Sequence, residues 1–364
     1  MDTLSSGCFD SKKVLVTGHT GFKGSWLSLW LSQLGVEVYG YSLPSPEESH
    51  YRIADVRGIL HGEVLADIRE KDRLSHLITD VQPDVIFHLA AQPLVRYSYS
   101  HPAETFDVNV MGTVSLLEAV RRAGRPVILI IVTSDKCYST DVEVFCFREE
   151  DRLGGIDPYS ASKAAVEIIS DSYRRSYFPP ERYDEHRIAL ATVRAGNVIG
   201  GGDFASDRII PDLFRSIVAG RSVDLRNPHA VRPWQHVLEP LAGYLMLAAA
   251  LMKTPTPSLC SAFNFGPDIS DTLTVMEIVE LFQDLWPGTC DCPVVHPQAF
   301  HETRILQLDA KKSMDMLGWR PVWTTREAVE MTARWYHDYY CGGISGPSRS
   351  IADITAYMDR LSYE

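Results

Sequence analysis

Tyr159 and Lys163 are spaced so that they could share one acid–base task. They stand in the run YSASK at 159–163, and on a helix residues i and i+4 lie on the same face. A free tyrosine titrates near pH 10, so a tyrosine base at pH 7 needs its pKa lowered by about 3 units, or about 4 kcal/mol. A cation held nearby in a partly desolvated site acts in that direction. The pair alone would fit an ordinary surface pair, but together with the glycine-rich run described below it predicts a tyrosine base.

A second group of reactive side chains stands in the run TSDKCY at 133–138, directly after the most hydrophobic predicted strand. Open α/β sheets place their ligands at the carboxyl ends of parallel strands. A hydroxyl followed by two ionisable groups could there supply hydrogen bonding, acid and base from one turn. We therefore expect Ser134, Asp135 and Lys136 to be catalytic, and a solvated turn is the alternative.

The run GHTGFKG at 18–24 lies between a predicted strand and a predicted helix. Glycines there let the backbone approach a pyrophosphate, which then sits at the positive end of the helix. The spacing is GxxGxxG, and the next strand ends in Tyr41-Ser42-Leu43, without the acidic residue or the arginine that would choose between NAD and NADP. Glycine turns of this kind also serve packing alone. We predict dinucleotide binding by the whole run, which comprises Gly18, His19, Thr20, Gly21, Phe22, Lys23 and Gly24.

These motifs belong to an alternation of short apolar runs and helical patterns. One helix is expected from Ser25 to Gly35, and another ends at Gly124 after apolar residues at helical spacing. Continuous β-branched runs are typical of strands buried on both faces of a parallel sheet. The pattern predicts the α/β class with a doubly wound parallel sheet. The predicted strands cover 14–16, 36–41, 85–87, 127–132 and 188–193, and the helical apolar residues are Phe106, Val110, Val114 and Leu117.

The pattern changes after Asn197, where shorter elements are interrupted by prolines. A predicted helix at 239–252 and a strand at 262–265 indicate a return to the sheet. We therefore expect two discontinuous units, a dinucleotide-binding domain and a smaller C-terminal substrate lobe. The first would cover 1–196 and 229–266, and the second 197–228 and 267–364.

Composition limits the class of protein. The chain has 364 residues, 45% hydrophobic and 23% charged, which excludes disordered, collagen-like and small disulfide-stapled chains. Its 35 basic and 47 acidic residues leave a net charge of −12. Diffuse negative charge argues against nucleic acid or an anionic membrane as a partner.

The cysteines and apolar stretches indicate a cytoplasmic protein. The 7 cysteines have no regular spacing and read as free thiols in a reducing compartment. No second pair at zinc-like spacing accompanies Cys290 and Cys292, so no metal is expected. The N-terminal residues lack the apolar core of a secretory signal. The apolar stretch at 241–252 is too short to cross a membrane as a helix.

In their order, these motifs resemble the extended short-chain dehydrogenase/reductase family, and within it the nucleotide-sugar 4,6-dehydratases. The resemblance covers nearly the whole chain, is strongest to the CDP-glucose 4,6-dehydratases and implies a Rossmann domain that binds NAD. The stretches that carry it are TGHTGFKGSWLSLWL at 17–31, TSDKCY at 133–138, DPYSASKA at 157–164, GNVIGGGD at 196–203 and RPWQHVLEPL at 232–241, with Asp67-Ile68, the run HLAAQ at 88–92, Asn109 and the run RAGN at 194–197.

The resemblance implies a set of contacts with NAD. Gly18, Gly21 and Gly24 would hold the pyrophosphate. Asp67 and Ile68 would contact the adenine. Leu89, Ala90 and Ala91 would line the path to the nicotinamide. Lys163 would hold the nicotinamide ribose and lower the pKa of Tyr159. Tyr159 would take the proton of the sugar 4-hydroxyl, to which Ser134 would hydrogen-bond.

The resemblance also implies how water leaves the sugar. A ketone at C4 acidifies the C5 proton, an acid protonates the departing 6-hydroxyl, and the hydride returns to C6. A 4-epimerase needs no acid/base pair after Ser134, so Asp135 and Lys136 favour dehydration. Asp135 is the expected acid, which requires burial to keep it protonated. Relatives acting on dTDP-glucose carry glutamate in place of Lys136, and we hypothesise that Lys136 is the C5 base, which requires a pKa far below the usual 10.4.

The implied substrate is CDP-glucose, dehydrated to its 4-dehydro-6-deoxy product in deoxysugar synthesis for surface polysaccharide such as the O antigen of lipopolysaccharide. A 4-epimerase, or a dehydratase of another sugar nucleotide, is the alternative. A homodimer is the family's usual assembly. Arginine suits a pyrophosphate because its planar fork makes bidentate bonds, and local cations would let a negative protein hold anionic ligands. The expected substrate contacts are Gln92, Ser134, Asn197, Arg208, Arg232 and Arg304.

Overall fold

The computed structural model describes residues 7–140, 146–205, 208–222, 224–225, 228–286, 294–295 and 306–363. Its strands, in chain order, are β1 Lys13–Thr17, β2 Glu37–Ser42, β3 Gly62–Leu65, β4 Val85–His88, β5 Val127–Val132, β6 Cys146–Phe147, β7 Ile188–Ala195, β8 Asn197–Ile199, β9 Asp224–Leu225, β10 Val231–Arg232, β11 Trp234–His236, β12 Ala262–Phe265, β13 Leu273–Thr274, β14 Val294–Val295 and β15 Gln307–Leu308.

Helices separate most of these strands. A π-helical turn, Asp107–Met111, joins two of the helices. Short 3-10 turns occur at Asp135–Cys137 and Pro180–Arg182. The α-helices are α1 Phe22–Gln33, α2 His50–Ile53, α3 Val56–Ile59, α4 Lys71–Val81, α5 Val95–Ser100, α6 Pro102–Phe106, α7 Gly112–Ala123, α8 Pro158–Ser176, α9 Tyr183–His186, α10 Ile209–Val218, α11 Leu238–Lys253, α12 Val275–Leu285, α13 Lys311–Leu317, α14 Thr325–Tyr340 and α15 Gly346–Tyr363.

Within the described residues, seven parallel strands form one sheet in the order β12-β7-β5-β4-β1-β2-β3. The predicted doubly wound parallel sheet is confirmed, and β12 pairs with β7 as the expected return segment. β3 was not predicted, because its residues GEVL contain no continuous apolar run and are not fully buried. The strand order reverses at β1 and β4, and open α/β sheets bind ligands at such a point.

The sheet is apolar on both faces. Along β1, Val14 faces one core and Leu15 the other, and in β5 Ile128 and Leu129 divide in the same way. All four side chains are buried, which explains the continuous apolar runs from which the strands were predicted. Burying each such side chain contributes about 1.5–3 kcal/mol.

Helix α11 joins the C-terminal segment to the sheet. It is apolar nearly all round and packs against β5, β7 and β12. Its one buried acid, Glu239, accepts hydrogen bonds from the backbone amides of Val322 at 3.0 Å and Trp323 at 2.7 Å, and from the Tyr357 hydroxyl at 2.7 Å. This carboxylate therefore fixes α15 and the segment before α14 to the sheet. No helix in the described residues is long and apolar enough to span a membrane.

The helical segment before Gly124 is present, but its buried face agrees only in part with the apolar residues used to predict it, since Leu117 is fully buried and the others are not. Phe106 is exposed, whereas Asn109 and Leu116 are buried. The π-helical turn at Asp107–Met111 lies between α6 and α7, and its extra residue per turn shifts the face that the following residues present. The spacing of apolar residues thus predicted the helix but not its orientation.

Candidate active site

The glycine-rich run forms a tight turn between β1 and α1. Gly18 has a φ of +77°, and a Cβ placed on it would lie 2.7 Å from the backbone nitrogen of Ala90. A Cβ on Gly24 would lie 2.1 Å from the carbonyl oxygen of Gly18. Only glycine fits at both positions. The close packing brings the N-terminus of α1 to the carboxyl edge of the sheet, with its free amides available to an anion.

A single cavity of about 1770 Å³ lies at this edge of the sheet. Pockets for one small ligand usually measure about 300–1,000 Å³, so the volume suits two ligands side by side. Of the residues predicted to act or bind, those lining it are Gly18, Thr20, Gly21, Phe22, Lys23, Gly24, Asp67, Ile68, Leu89, Ala90, Ala91, Ser134, Asp135, Lys136, Tyr159, Lys163, Asn197 and Arg208.

Two residues that were predicted to bind a ligand direct their side chains away from the cavity. The side chain of His19 is fully buried over Gly40, and its Nε2 lies 2.9 Å from Oε2 of Glu63; burial lowers its pKa to about 4. The Gln92 amide donates to Thr105 Oγ1 at 2.9 Å. Both side chains therefore bond to internal polar groups and do not line the cavity, and their direct contact with a ligand stays a prediction.

The side chains of two arginines that were predicted to bind the substrate lie outside the described part of the structure. Arg304 lies outside the described residues, and Arg232 is described only as backbone in β10. Arg208 lines the cavity and donates from Nη1 to Oδ2 of Asp203 at 2.7 Å. Its charge is therefore partly compensated by a carboxylate. Among the described residues, no cluster of histidine, cysteine and acidic side chains could hold a metal ion.

Helix α8 presents Tyr159 and Lys163 on one buried face. Its start is capped by Asp157, whose carboxylate accepts from the Ser160 amide at 3.0 Å. Lys163 Nζ donates to the carbonyl of Val132 at 3.1 Å, at the end of β5. The spacing thus places the two side chains at the strand end, as predicted.

The expected low pKa of Tyr159 is not found. Burial raises its pKa to about 12, and a hydrogen bond with Ser134 only partly opposes this. Burial also lowers the pKa of Lys163 to about 8, against the opposing charge of Glu167. The prediction relied on a cation in a partly desolvated site, but desolvation itself shifts the pKa values of both groups toward their neutral forms.

The turn after β5 holds the second predicted group. Ser134 caps the 3-10 turn by accepting from the Lys136 amide at 3.2 Å, and its hydroxyl donates to Oδ1 of Asp135 at 2.8 Å. Burial raises the pKa of Asp135, with Lys136, Ser134 and Lys23 acting against the shift. The environment of Asp135 is therefore the one that a carboxylic acid donor requires, while Lys136 is half-buried in the cavity wall.

Lys23 has a more reactive environment than its place in the glycine-rich run suggested. Burial lowers the pKa of its ammonium to about 7, Arg208 and Lys163 adding to the shift and Asp135 opposing it. Its place in the first turn of α1 also disfavours a cation. Lys23 is thus a cavity lysine that can exchange a proton near neutral pH. The available signal was a lysine within a glycine-rich run, from which only cofactor binding was predicted.

The sheet order, the glycine-rich turn and the Ser134/Tyr159/Lys163 group define a dinucleotide-binding short-chain dehydrogenase/reductase. The family model described as "GDP-mannose 4,6 dehydratase" matches residues 15–259. A CDP-glucose 4,6-dehydratase from Salmonella typhimurium is 44% identical over 340 residues, which cover 93% of this chain and 94% of that protein. The chain therefore belongs to the nucleotide-sugar 4,6-dehydratase family of extended short-chain dehydrogenases/reductases, as its motifs predicted.

Solved structures share the fold. A UDP-glucose 4-epimerase from Thermotoga maritima superposes with a TM-score of 0.76 at 23% identity, covering 90% of this chain and 99% of the other. A UDP-glucose 4-epimerase from Brucella ovis gives a TM-score of 0.75 at 21% identity, covering 90% and 98%. Because epimerases and dehydratases share this architecture, the reaction depends on the side chains in the cavity.

Proposed function

We propose that the protein dehydrates CDP-glucose to CDP-4-dehydro-6-deoxyglucose, with NAD as a cofactor that is used and regenerated in each turnover. The observation that carries this proposal is Asp135, a buried carboxyl with a raised pKa in the same cavity as Tyr159 and Lys163. Elimination of water needs such an acid and epimerisation does not. The choice of nucleotide follows the relative that is 44% identical.

The residues present fit NAD. The glycine turn, in which no Cβ could be placed at Gly18 or Gly24, brings backbone and helix amides to a pyrophosphate. Asp67, Ile68 and the run 89–91 line the same cavity. The solved Brucella ovis epimerase, which shares the fold, is a complex with NAD. Bound NAD would accept the hydride from C4 of the sugar and supply it again at C6.

Tyr159 acts as the base for the sugar 4-hydroxyl. With a pKa raised to about 12 by burial, its phenolate forms only with help from nearby positive charge. Lys163, one turn along α8, supplies that charge, and Ser134 hydrogen-bonds the same hydroxyl. The buried Asp135 then protonates the departing 6-hydroxyl.

Lys136 removes the C5 proton in this scheme. It follows Asp135 directly and lines the cavity. Replacing it in Lys136→Met should abolish exchange of the C5 proton with deuterated water while C4 oxidation continues. Lys23→Met is the matched control, because it removes the other cavity lysine beside Asp135. Exchange at the unaltered rate in Lys136→Met, with loss in Lys23→Met, would assign the base to Lys23.

The assembly and the compartment belong to the same proposal. Phe106, Met111 and Ile168 are exposed apolar side chains, and the elements that carry them, from α6 to α8, pack on one another. This face supports a homodimer, which Ile168→Glu should dissociate in sedimentation experiments. The free cysteines among the described residues support a reducing cytoplasm.

Incubation with CDP-glucose, dTDP-glucose, UDP-glucose and GDP-mannose, followed by mass spectrometry, tests the function. We expect loss of one water from CDP-glucose, and a product that absorbs in alkali as a keto sugar. Turnover with no change of mass would identify a 4-epimerase. Loss of water from another nucleotide sugar alone would keep the reaction and overturn the choice of CDP.

A further inference from the structure

The carboxylate of Glu167 is the centre of a buried network that the scheme above does not use. Its Oε1 accepts from Thr133 Oγ1 at 2.5 Å and Arg194 Nε at 2.9 Å. Its Oε2 accepts from Thr192 Oγ1 at 2.7 Å and Arg194 Nη2 at 2.9 Å. The side chains of Glu167 and Arg194 are each 3% exposed. Both oxygens therefore have two donors, one from the bidentate arginine and one from a threonine.

The network connects the helix that carries Tyr159 and Lys163 to the strands beside it. Glu167 lies one turn beyond Lys163 on α8 and shares its buried face. Thr133 directly follows β5 and immediately precedes Ser134, while the other donors belong to β7. Glu167 therefore determines how α8 is seated against the strand end that carries Ser134.

The same ion pair reaches the turn that holds Asp135. Arg194 Nη1 donates to the Tyr138 hydroxyl at 2.6 Å, and that hydroxyl donates to Oδ1 of Asn264 at 2.8 Å. Tyr138 directly follows the 3-10 turn Asp135–Cys137. The Glu167–Arg194 pair thus contacts both segments from which the acid and base groups project.

The negative charge of Glu167 also acts on the ammonium group of Lys163 and raises its pKa. Tyr159 and Glu167 each lie one turn from Lys163 on the buried face of α8. The groups that interact electrostatically with Lys163 are Glu167, Cys137 on the turn, His88 on β4 and Lys23 on the glycine-rich run. Burial raises the pKa of the Cys137 thiol well above its usual value and lowers that of His88 to about 3, so both are neutral at pH 7. Although burial opposes it, Arg194 holds the pKa of Glu167 below its usual value, so this side chain stays negative.

Stability alone does not account for such a pair. Exchanging a buried ion pair for apolar side chains of similar volume is often neutral or stabilising. We propose that Glu167, held by Arg194, is a positioning residue that keeps Lys163 protonated and seated against the Ser134 strand. This proposal rests on the proposed function, because it assigns Glu167 to the support of the Tyr159 base.

The test is the protonation of Lys163 in Glu167→Gln, with Glu167→Asp as the variant that keeps the charge. In the chain without added substrate, the pH dependence of Lys163 acylation by acetic anhydride, measured on its peptide by mass spectrometry, reports this directly. We expect the midpoint to fall by about one pH unit or more in Glu167→Gln and to stay near that of the unaltered protein in Glu167→Asp. An unchanged midpoint in a folded Glu167→Gln protein would overturn the proposal.

The pH dependence of activity is the second test. The alkaline limb of kcat/KM with CDP-glucose should move to lower pH in Glu167→Gln by the same amount, whereas a merely structural role would lower the rate equally at every pH. If Glu167→Gln does not fold, the double variant Glu167→Leu/Arg194→Met removes both charges together. Because Glu167 is the charge that acts on Lys163, the midpoint should still fall there, by less than in the single variant, and an unmoved midpoint would contradict the proposal. Absence of dehydration by the unaltered protein would refute the proposed function and leave the acylation result standing.

Discussion

Asp135 and Glu167 are two buried carboxyl groups near the Tyr159/Lys163 pair, Asp135 acting on Tyr159 and Glu167 on Lys163, and their surroundings differ in almost every respect. Glu167 accepts four hydrogen bonds and is paired with an arginine. Asp135 accepts one side-chain hydrogen bond, from Ser134, and its carboxylate has no arginine partner among the described residues. The pKa of Asp135 is therefore raised by burial, while Arg194 lowers that of Glu167.

This difference separates two roles that residue type alone would not separate. A carboxyl group that burial keeps protonated can donate to a leaving hydroxyl, and one that an arginine keeps charged can hold a neighbouring ammonium. Acid–base catalysis typically uses two titratable groups of one site whose pKa values the surroundings shift in opposite directions. The predictions that follow alter one carboxyl group or its partner and leave the other in place.

The largest effect is expected from Asp135→Asn. Asparagine keeps the size and a hydrogen bond from Ser134 but has no acidic proton, so dehydration of CDP-glucose should slow by about 10²–10⁴-fold. Oxidation at C4 should persist, visible as near-ultraviolet absorbance of reduced cofactor in a single turnover. A loss of less than about tenfold, measured as water loss by mass spectrometry, would remove Asp135 from the role of acid.

Removing the partner of Glu167 should cost the most stability. Arg194→Met leaves a buried carboxylate without its opposite charge, and we expect a loss of about 3–5 kcal/mol in the free energy of unfolding. Asp135→Asn serves as the contrast, since it replaces a poorly compensated acid by a neutral amide and should not destabilise the fold. Denaturant unfolding of both variants measures this. Equal losses would mean that the two carboxyl groups are not held differently.

The two carboxyl groups should also give opposite pH dependences of stability. The folded pKa of Asp135 lies above its ordinary 3.8, so the unfolded chain ionises first and stability falls as pH rises above that value. The folded pKa of Glu167 lies below its ordinary 4.5, so its stabilising effect is present above pH 4.5 and is lost as pH falls through the folded pKa.

Unfolding at a series of pH values tests those signs. Relative to the unaltered protein, Asp135→Asn should become more stable as pH rises above about 4. The stability deficit of Glu167→Gln should be fully present above about pH 4.5 and should shrink as pH falls below that value. Parallel curves for the two variants would contradict the assignment.

The smallest effect is expected from Lys23→Met. Lys23 is a cation beside Asp135, as Arg194 is beside Glu167, but burial lowers its pKa to about 7. Its attraction for an anionic ligand should therefore fade as pH rises through neutrality. NAD should bind about tenfold more weakly to Lys23→Met at pH 6, a loss of about 1.4 kcal/mol, with a smaller difference at pH 8 by calorimetry. A difference that grows with pH would mean that Lys23 does not act as a charge.

Strands, motifs and family could be predicted because they depend on local patterns. The strand at 262–265 agrees with β12, and the helix at 239–252 lies within α11. In both segments mostly apolar residues correspond to nearly complete burial. β3 was missed because an edge strand half open to solvent needs no such run.

The direction of side chains in the site depends on tertiary contacts and could not be read from spacing. His19 and Gln92 lie in the correct motifs, yet their side chains bond to Glu63 and Thr105, which come from distant parts of the chain. The pKa of Tyr159 was predicted from its cation, whereas burial has the larger effect. Glu167 stands at helical spacing from Lys163, but its role emerges only when β7 brings Arg194 beside it.

The central claim is that this cavity oxidises C4, eliminates water and reduces C6 within one active site. The most direct measurement uses CDP-glucose carrying deuterium at C4 in ordinary water. The predicted product is lighter by one water, holds the deuterium at C6 and carries a solvent proton at C5. A product of unchanged mass that keeps its deuterium at C4, or one that has lost the deuterium to solvent, would contradict the claim.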